Sequence, residues 1–273
     1  MFIEKAKAAI KSMPVAYAIL RPVVALVRRP QQSLFRHALK SFRQYCSELP
    51  EFVPEPIFVK VGANDGVTGD PCSDILLGNN KWKGLLIEPV PYCFNRLKAN
   101  FHDSRRFSVE QVAIGSTAGK KSFYYVDQAA YNAIPNVPSW FDQLGSFDKN
   151  NIIKYLDGAL APFIIECTIE VSTLSDVLNR NGIRNFHLFH SDIQGYDYEV
   201  LKTLDLVNHA PVAIFVEHKH LPHARKKEMR HHLRKHGYSV RDCGEDYFAI
   251  NKGADKRLRR TAECSKTRRR ASS

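Results

Sequence analysis

Residues 57–66 form an apolar run, Ile57 to Val61, that enters a turn bracketed by Gly62 and Gly66. A second apolar run begins at Gly84 and ends in Glu88 and Pro89. A tight glycine turn lets backbone approach a ligand closely. An acid at the end of the following strand can take two ribose hydroxyls. Together the two runs define the opening strand–turn–strand of an α/β sheet and point to a nucleoside ligand at its edge.

The rest of the chain continues the pattern. Short apolar runs at 57–62, 84–88, 107–114, 186–192 and 212–218 read as strands covered on both faces. Helical patterns lie between them at 71–78, 92–101, 175–181 and 196–204. Such alternation predicts a doubly wound, mostly parallel sheet with helices on both faces. Two further strands, 122–126 and 164–171, flank an aromatic-rich segment, 127–163, which reads either as a lid over an acceptor or as a helical insertion with its aromatics packed inward. After a helix near 222–236, the runs 238–242 and 247–251 form a C-terminal antiparallel hairpin.

Charge divides the chain into three parts. Residues 1–43 hold nine Lys/Arg and one acid, residues 252–273 hold nine and two, and the middle carries a net −3 within a total of +12. Residues 1–50 therefore read as a basic helical extension, 51–252 as the folded domain, and 253–273 as a basic disordered tail. The apolar stretch 13–27 is interrupted by Pro14, Arg21 and Pro22 and is too short to span a bilayer. It reads either as a helix packed on the domain or as a cationic segment resting on an anionic membrane surface. The six cysteines form no C-x-x-C pair and no zinc spacing, as expected of buried or free thiols in a reducing, cytoplasmic setting.

The turn Gly62-Ala63-Asn64-Asp65-Gly66 lacks the middle glycine that a dinucleotide site uses to admit pyrophosphate. It suits a phosphate-free ligand, a nucleoside joined to an amino acid such as S-adenosylmethionine. Asn64 and Asp65 are then candidates for the amino-acid end and Glu88 for the ribose. In an open α/β sheet, ligands bind at the carboxyl ends of strands. Asp192 closes one strand, and Glu217 and His218 close the next. Asp192 also reads as a helix cap, and His218 as a structural histidine. As functional groups, either His218 or Asp192 is the base and Glu217 the orienting partner. His218, His220 and His223, with His231, His232 and His236 beyond, match no zinc template, and no metal site is expected.

Five segments together resemble the FkbM-type family of S-adenosylmethionine-dependent methyltransferases. They are 61–66, 84–89, 172–178, 192–197 and the strand end Glu217–His218. The resemblance covers about residues 55–250. It implies a seven-stranded Rossmann-like methyltransferase fold and O-methylation of a hydroxyl on a sugar, glycolipid or other small molecule. It implies a cofactor site at Gly62, Ala63, Asn64, Asp65, Gly66 and Glu88, with Asp192 beside it. This chain departs from the family pattern at Lys60, where the family usually has an acid, and at Gln194, where it often has Glu. The first departure weakens the expected seat of the methionyl ammonium; the second argues against a carboxylate-bound metal.

Three other functions compete. The basic tails fit a nucleic-acid methyltransferase, but no Asn/Asp-Pro-Pro-aromatic pocket or RNA-binding module accompanies them, so a nucleic-acid partner is not expected. Lys60 favours a non-catalytic, membrane-associated module that has kept the fold. The missing middle glycine disfavours a nicotinamide enzyme.

Overall fold

The structure, a computed structural model, describes residues 39–271, with side chains through residue 261. The segment 13–27, expected to pack on the domain or rest on a membrane, lies outside the described residues. Among these residues, no helix is long and apolar enough to cross a membrane.

Helix α1 covers residues 39–52. In chain order there follow β1 (Ile57–Val61), α2 (Ser73–Gly78), β2 (Lys83–Ile87), α3 (Pro91–Asn100), β3 (Phe107–Glu110), β4 (Ala113–Ile114), β5 (Gly119–Val126), α4 (Ala130–Ala133), α5 (Asn150–Ile153) and β6 (Ile164–Ser172). The second half contains α6 (Leu174–Arg180), β7 (Leu188–Ser191), α7 (Asp197–Thr203), β8 (Ala213–Glu217), α8 (His223–Lys235), β9 (Tyr238–Asp242), β10 (Asp246–Asn251) and α9 (Lys252–Ala271).

The main sheet has seven strands in the order β3-β2-β1-β7-β8-β10-β9. β3, β2, β1, β7 and β8 are parallel, and β10 runs antiparallel to both β8 and β9. The expected parallel sheet with a C-terminal hairpin is therefore present. Strand alternation sorts the side chains into two cores. Val59, Val61, Leu85, Ile87, Phe189, Ile214 and Val216 face α6, α7 and α8. Phe58, Leu86, Leu188, Ala213 and Phe215 face α1, α2, α3 and α9. Lys60 and His190 share the second face, so that face carries buried polar groups near its carboxyl end.

The structure departs from expectation in two places, at 107–114 and at 253–271, while segment 127–163 takes the helical-insertion form that was one of its two readings. The single strand expected at 107–114 is split: β3 ends the main sheet, and β4 pairs with β6 in a separate three-stranded sheet, order β4-β6-β5. Segment 127–163 folds into short helical turns around its own core of Ala130, Phe141, Leu144, Ile152 and Leu160, while Tyr131 and Trp140 remain exposed. Residues 253–271, expected to be disordered, are helical. The Asn251 side chain caps the start of this helix by accepting the Ala254 N–H. Ala254 and Leu258 then pack on the second core, Asp255 accepts the Tyr45 hydroxyl, and Arg259 lies over the Phe52 ring. Apolar groups four residues apart thus give this charged segment a face to bury.

Candidate functional site

A cavity of about 690 Å³ opens across the carboxyl ends of β1, β2, β7 and β8. It sits where the strand order reverses between β1 and β7, the place at which open α/β sheets bind ligands. The insertion supplies the outer wall through Asp142, Gly145, Ser146 and Phe147.

At the β1 end, the turn closes against β2 by two bonds: the Gly62 and Ala63 N–H groups both donate to the Ile87 carbonyl at 3.0 Å. Gly62 has φ +75°, and a Cβ there would lie 2.0 Å from the Asp192 carbonyl oxygen. Only glycine allows the turn to touch the β7 tip so closely. Glu88 is buried, with one oxygen accepting the Asn64 N–H at 2.8 Å and the other the Val90 N–H at 2.8 Å. Each oxygen keeps a second acceptor position. Burial pushes the Glu88 carboxyl up to about 7, with the two backbone N–H groups and Lys60 pulling the other way.

Gly62, Ala63, Asn64 and Glu88 line the cavity, whereas Asp65 and Gly66 do not. Asp65 turns back to accept the Val67 and Thr68 N–H groups and the Thr68 hydroxyl. Gly66 packs against Phe101 and Leu97. The Asn64 Nδ2 and Asp142 Oδ1 atoms are buried without a partner. Arg96 bridges their residues, 2.5 Å from Asp142 Oδ2 and 3.3 Å from Asn64 Oδ1.

At the other end, Asp192 and Glu217 line the cavity. Gln194 donates to Asp192 at 3.2 Å. Burial raises both carboxyls, and the Asp192 charge adds to the rise of Glu217. Asp192 does not cap α7, whose N-cap Tyr196 makes no side-chain cap bond. Asp197 instead braces the turn before the helix, accepting the Ser191 hydroxyl and the Ile193 and Gly195 N–H groups.

His218 is not part of the cavity lining. Its ring lies 4.0 Å from that of Tyr247, and its Nε2 is 3.5 Å from Asp242. One position of chain separates it from Glu217 and turns it away from the cavity. The imidazole nearest Glu217 is His220, whose Nε2 lies 3.3 Å from Glu217 Oε1 and 3.2 Å from the Tyr155 hydroxyl. Burial lowers His220 to about 4, helped by Lys154 and Lys219, so this ring is neutral.

Lys60 is buried in an ion pair with Asp70. Burial disfavours its charge, but Asp70 outweighs that effect and holds the ammonium above its ordinary range. His190 Nδ1 is 3.8 Å from the same carboxylate, and burial followed by the Lys60 charge drops its pKa to about 3. The cation at position 60 is thus neutralised within the protein.

Sequence reasoning missed Asp70, Asp142, His220 and Asp246 as site residues. Asp246 is a partial exception: the sequence placed it at the end of the hairpin turn, one residue before the strand that it opens. The others reach the site from loops that carry no periodic signal.

A mostly parallel seven-stranded sheet ending in an antiparallel hairpin, with a cavity at its switch point, defines a Rossmann-like fold of the methyltransferase class. Residues 60–240 match the family described as the Methyltransferase FkbM domain, and the chain belongs to that family. No curated protein matches the chain. Among solved structures it is similar to methyltransferase FkbM from Methylobacillus flagellatus KT, at 14% identity and TM-score 0.45 over 72% of this chain and 43% of that one. It thus spans less than half the length of that relative. It is also similar to the METTL16 MTase domain, at 13% identity and TM-score 0.41 over 79% of this chain and 66% of that one. A human methyltransferase 10 domain containing protein is matched at 13% identity and TM-score 0.36, over 72% of this chain and 70% of that one.

Proposed function

We propose that the protein is an S-adenosylmethionine-dependent O-methyltransferase acting on a hydroxyl of a sugar, glycolipid or other small molecule. The observation that carries this reading is one continuous cavity with Glu88 at the β2 tip and Asp192 and Glu217 at the β7 and β8 tips. The donor set fits S-adenosylmethionine. The two free acceptor positions of Glu88 suit a ribose diol, and the orphaned Asn64 Nδ2 and Asp142 Oδ1 offer one donor and one acceptor to the remaining polar groups. When bound, S-adenosylmethionine supplies a methyl group already activated on a sulfonium.

The protein's task is then to align a hydroxyl and take its proton. Asp192 accepts that proton on a carboxylate oxygen, the Gln194 amide steadies the carboxylate, and Glu217 orients the acceptor. His218, the other base considered, faces Tyr247 and Asp242 and takes no part. The insertion's Phe147 and Ser146 line the cavity beside these groups.

The test is S-adenosylhomocysteine release on a panel of glycans and lipids. Asp192→Asn should lower turnover about 100-fold, with S-adenosylhomocysteine affinity close to that of the parent protein. Full turnover in this variant would remove Asp192 from the chemistry.

A further inference from the structure

The acceptor end of the cavity carries more acidic groups than the protein compensates. Glu217 and Asp246 are directly paired across β8 and β10, so two carboxylates face the same way on neighbouring strands. Both line the cavity. Like charges directly opposite one another destabilise a sheet. Asp192 lies on the next strand tip, and beyond the effect of burial its charge, like that of Asp246, adds to the rise of Glu217.

No lysine or arginine among the described residues ion-pairs with Glu217 or Asp246; Lys154 bonds the Asn151 side chain and Lys226 the Lys219 carbonyl. Lys60 pairs with Asp70, Arg43 with Asp74 and Lys219 with Glu245. His220 is neutral. Asp246 has no ion-pair partner among the described residues, and burial and its acidic neighbours push it up to about 8. Glu217 is 5% exposed, and its Oε2 has no hydrogen-bond partner. A buried acceptor left unpaired costs stability unless a ligand supplies the donor.

Geometry separates two kinds of cation. A metal ion draws its ligands to about 2.0–2.6 Å, so ligand atoms must converge. Among the described residues, the group whose ligand atoms lie within 4.8 Å of one another is Asp70, Cys72 and His190, and Lys60 already holds that carboxylate. Asp192, Glu217 and Asp246 form no such three-ligand group among the described residues. An ammonium has three diverging N–H donors and can bridge such acids with charge-assisted bonds.

We propose that the acceptor carries a protonated amine beside its hydroxyl, seated on Glu217 and Asp246 with Asp192 left for the hydroxyl. The proposal rests on the methyltransferase reading of the cavity and narrows its acceptor to an amine-bearing class such as an amino sugar.

Titration calorimetry at pH 7 on protein saturated with S-adenosylhomocysteine tests it. The probes are glucosamine, which bears an ammonium, and N-acetylglucosamine, which does not. Glucosamine should bind at least about tenfold more tightly, as one charge-assisted hydrogen bond implies. Asp246→Asn and Glu217→Gln should each remove most of that preference while leaving S-adenosylhomocysteine affinity within about twofold, a change too small to reflect a lost bond. Equal affinity for the two sugars, or binding of neither, overturns the proposal. Loss of S-adenosylmethionine but not S-adenosylhomocysteine binding in these variants also overturns it, by assigning the acids to the sulfonium. Failure of the parent protein to bind S-adenosylhomocysteine would instead defeat the donor reading.

Discussion

Glu88 combines two roles that pull on its charge in opposite directions. Burial raises its pKa from an ordinary 4.5 to about 7. An acid raised in the folded state favours folding in its protonated form, so this contribution is present below about pH 4.5 and is lost as pH rises toward 7. Ribose hydroxyls bind best to the ionised carboxylate, which forms over the same interval. S-adenosylhomocysteine affinity should therefore rise between about pH 6 and 8 and level off above, while the unliganded protein loses stability from about pH 5 to 7. Calorimetry and urea denaturation across that range check both slopes; an affinity that falls with pH would contradict the assignment. Glu88 was legible in the sequence because it ends an apolar strand. His218 was misplaced for a related reason: a strand end marks the right edge of the sheet, but one residue of parity decides which side chain enters the cavity.

Elements show where pattern reading fails and why. The strands 57–61 and 213–217 were visible as apolar runs because both of their faces are buried. The insertion was legible as a lid or a helical insertion, but not which residues meet in it, since its turns close on a small local core with no repeating period. Asp142 accordingly could not be placed beside Asn64 before the structure was known. Charge hid α9: its basic residues suggested solvent, yet Leu258 and Ala254 attach it to the core under α1. Leu258→Ala should cost about 1–2 kcal/mol for a half-buried side chain, read from urea denaturation. A cost near zero would mean that the helix does not pack there.

The whole molecule joins a nearly neutral domain to basic sequence at either end. Among the described residues, buried charged groups gather at the sheet's carboxyl edge, Glu88 and Glu217 among them, and in the Lys60–Asp70 pair. Gly62 holds the two halves of that edge together, with the β1 turn touching the β7 tip. The central claim is that an adenosyl ligand spans this edge with its ribose on the β2 acid. Titration calorimetry with S-adenosylhomocysteine tests it most directly, comparing the parent protein with Glu88→Ala. The account predicts one saturable site in the parent and affinity at least about 100-fold weaker in the variant, the loss of two hydrogen bonds to a charged group. No binding to the parent, or equal binding to both proteins, would contradict it.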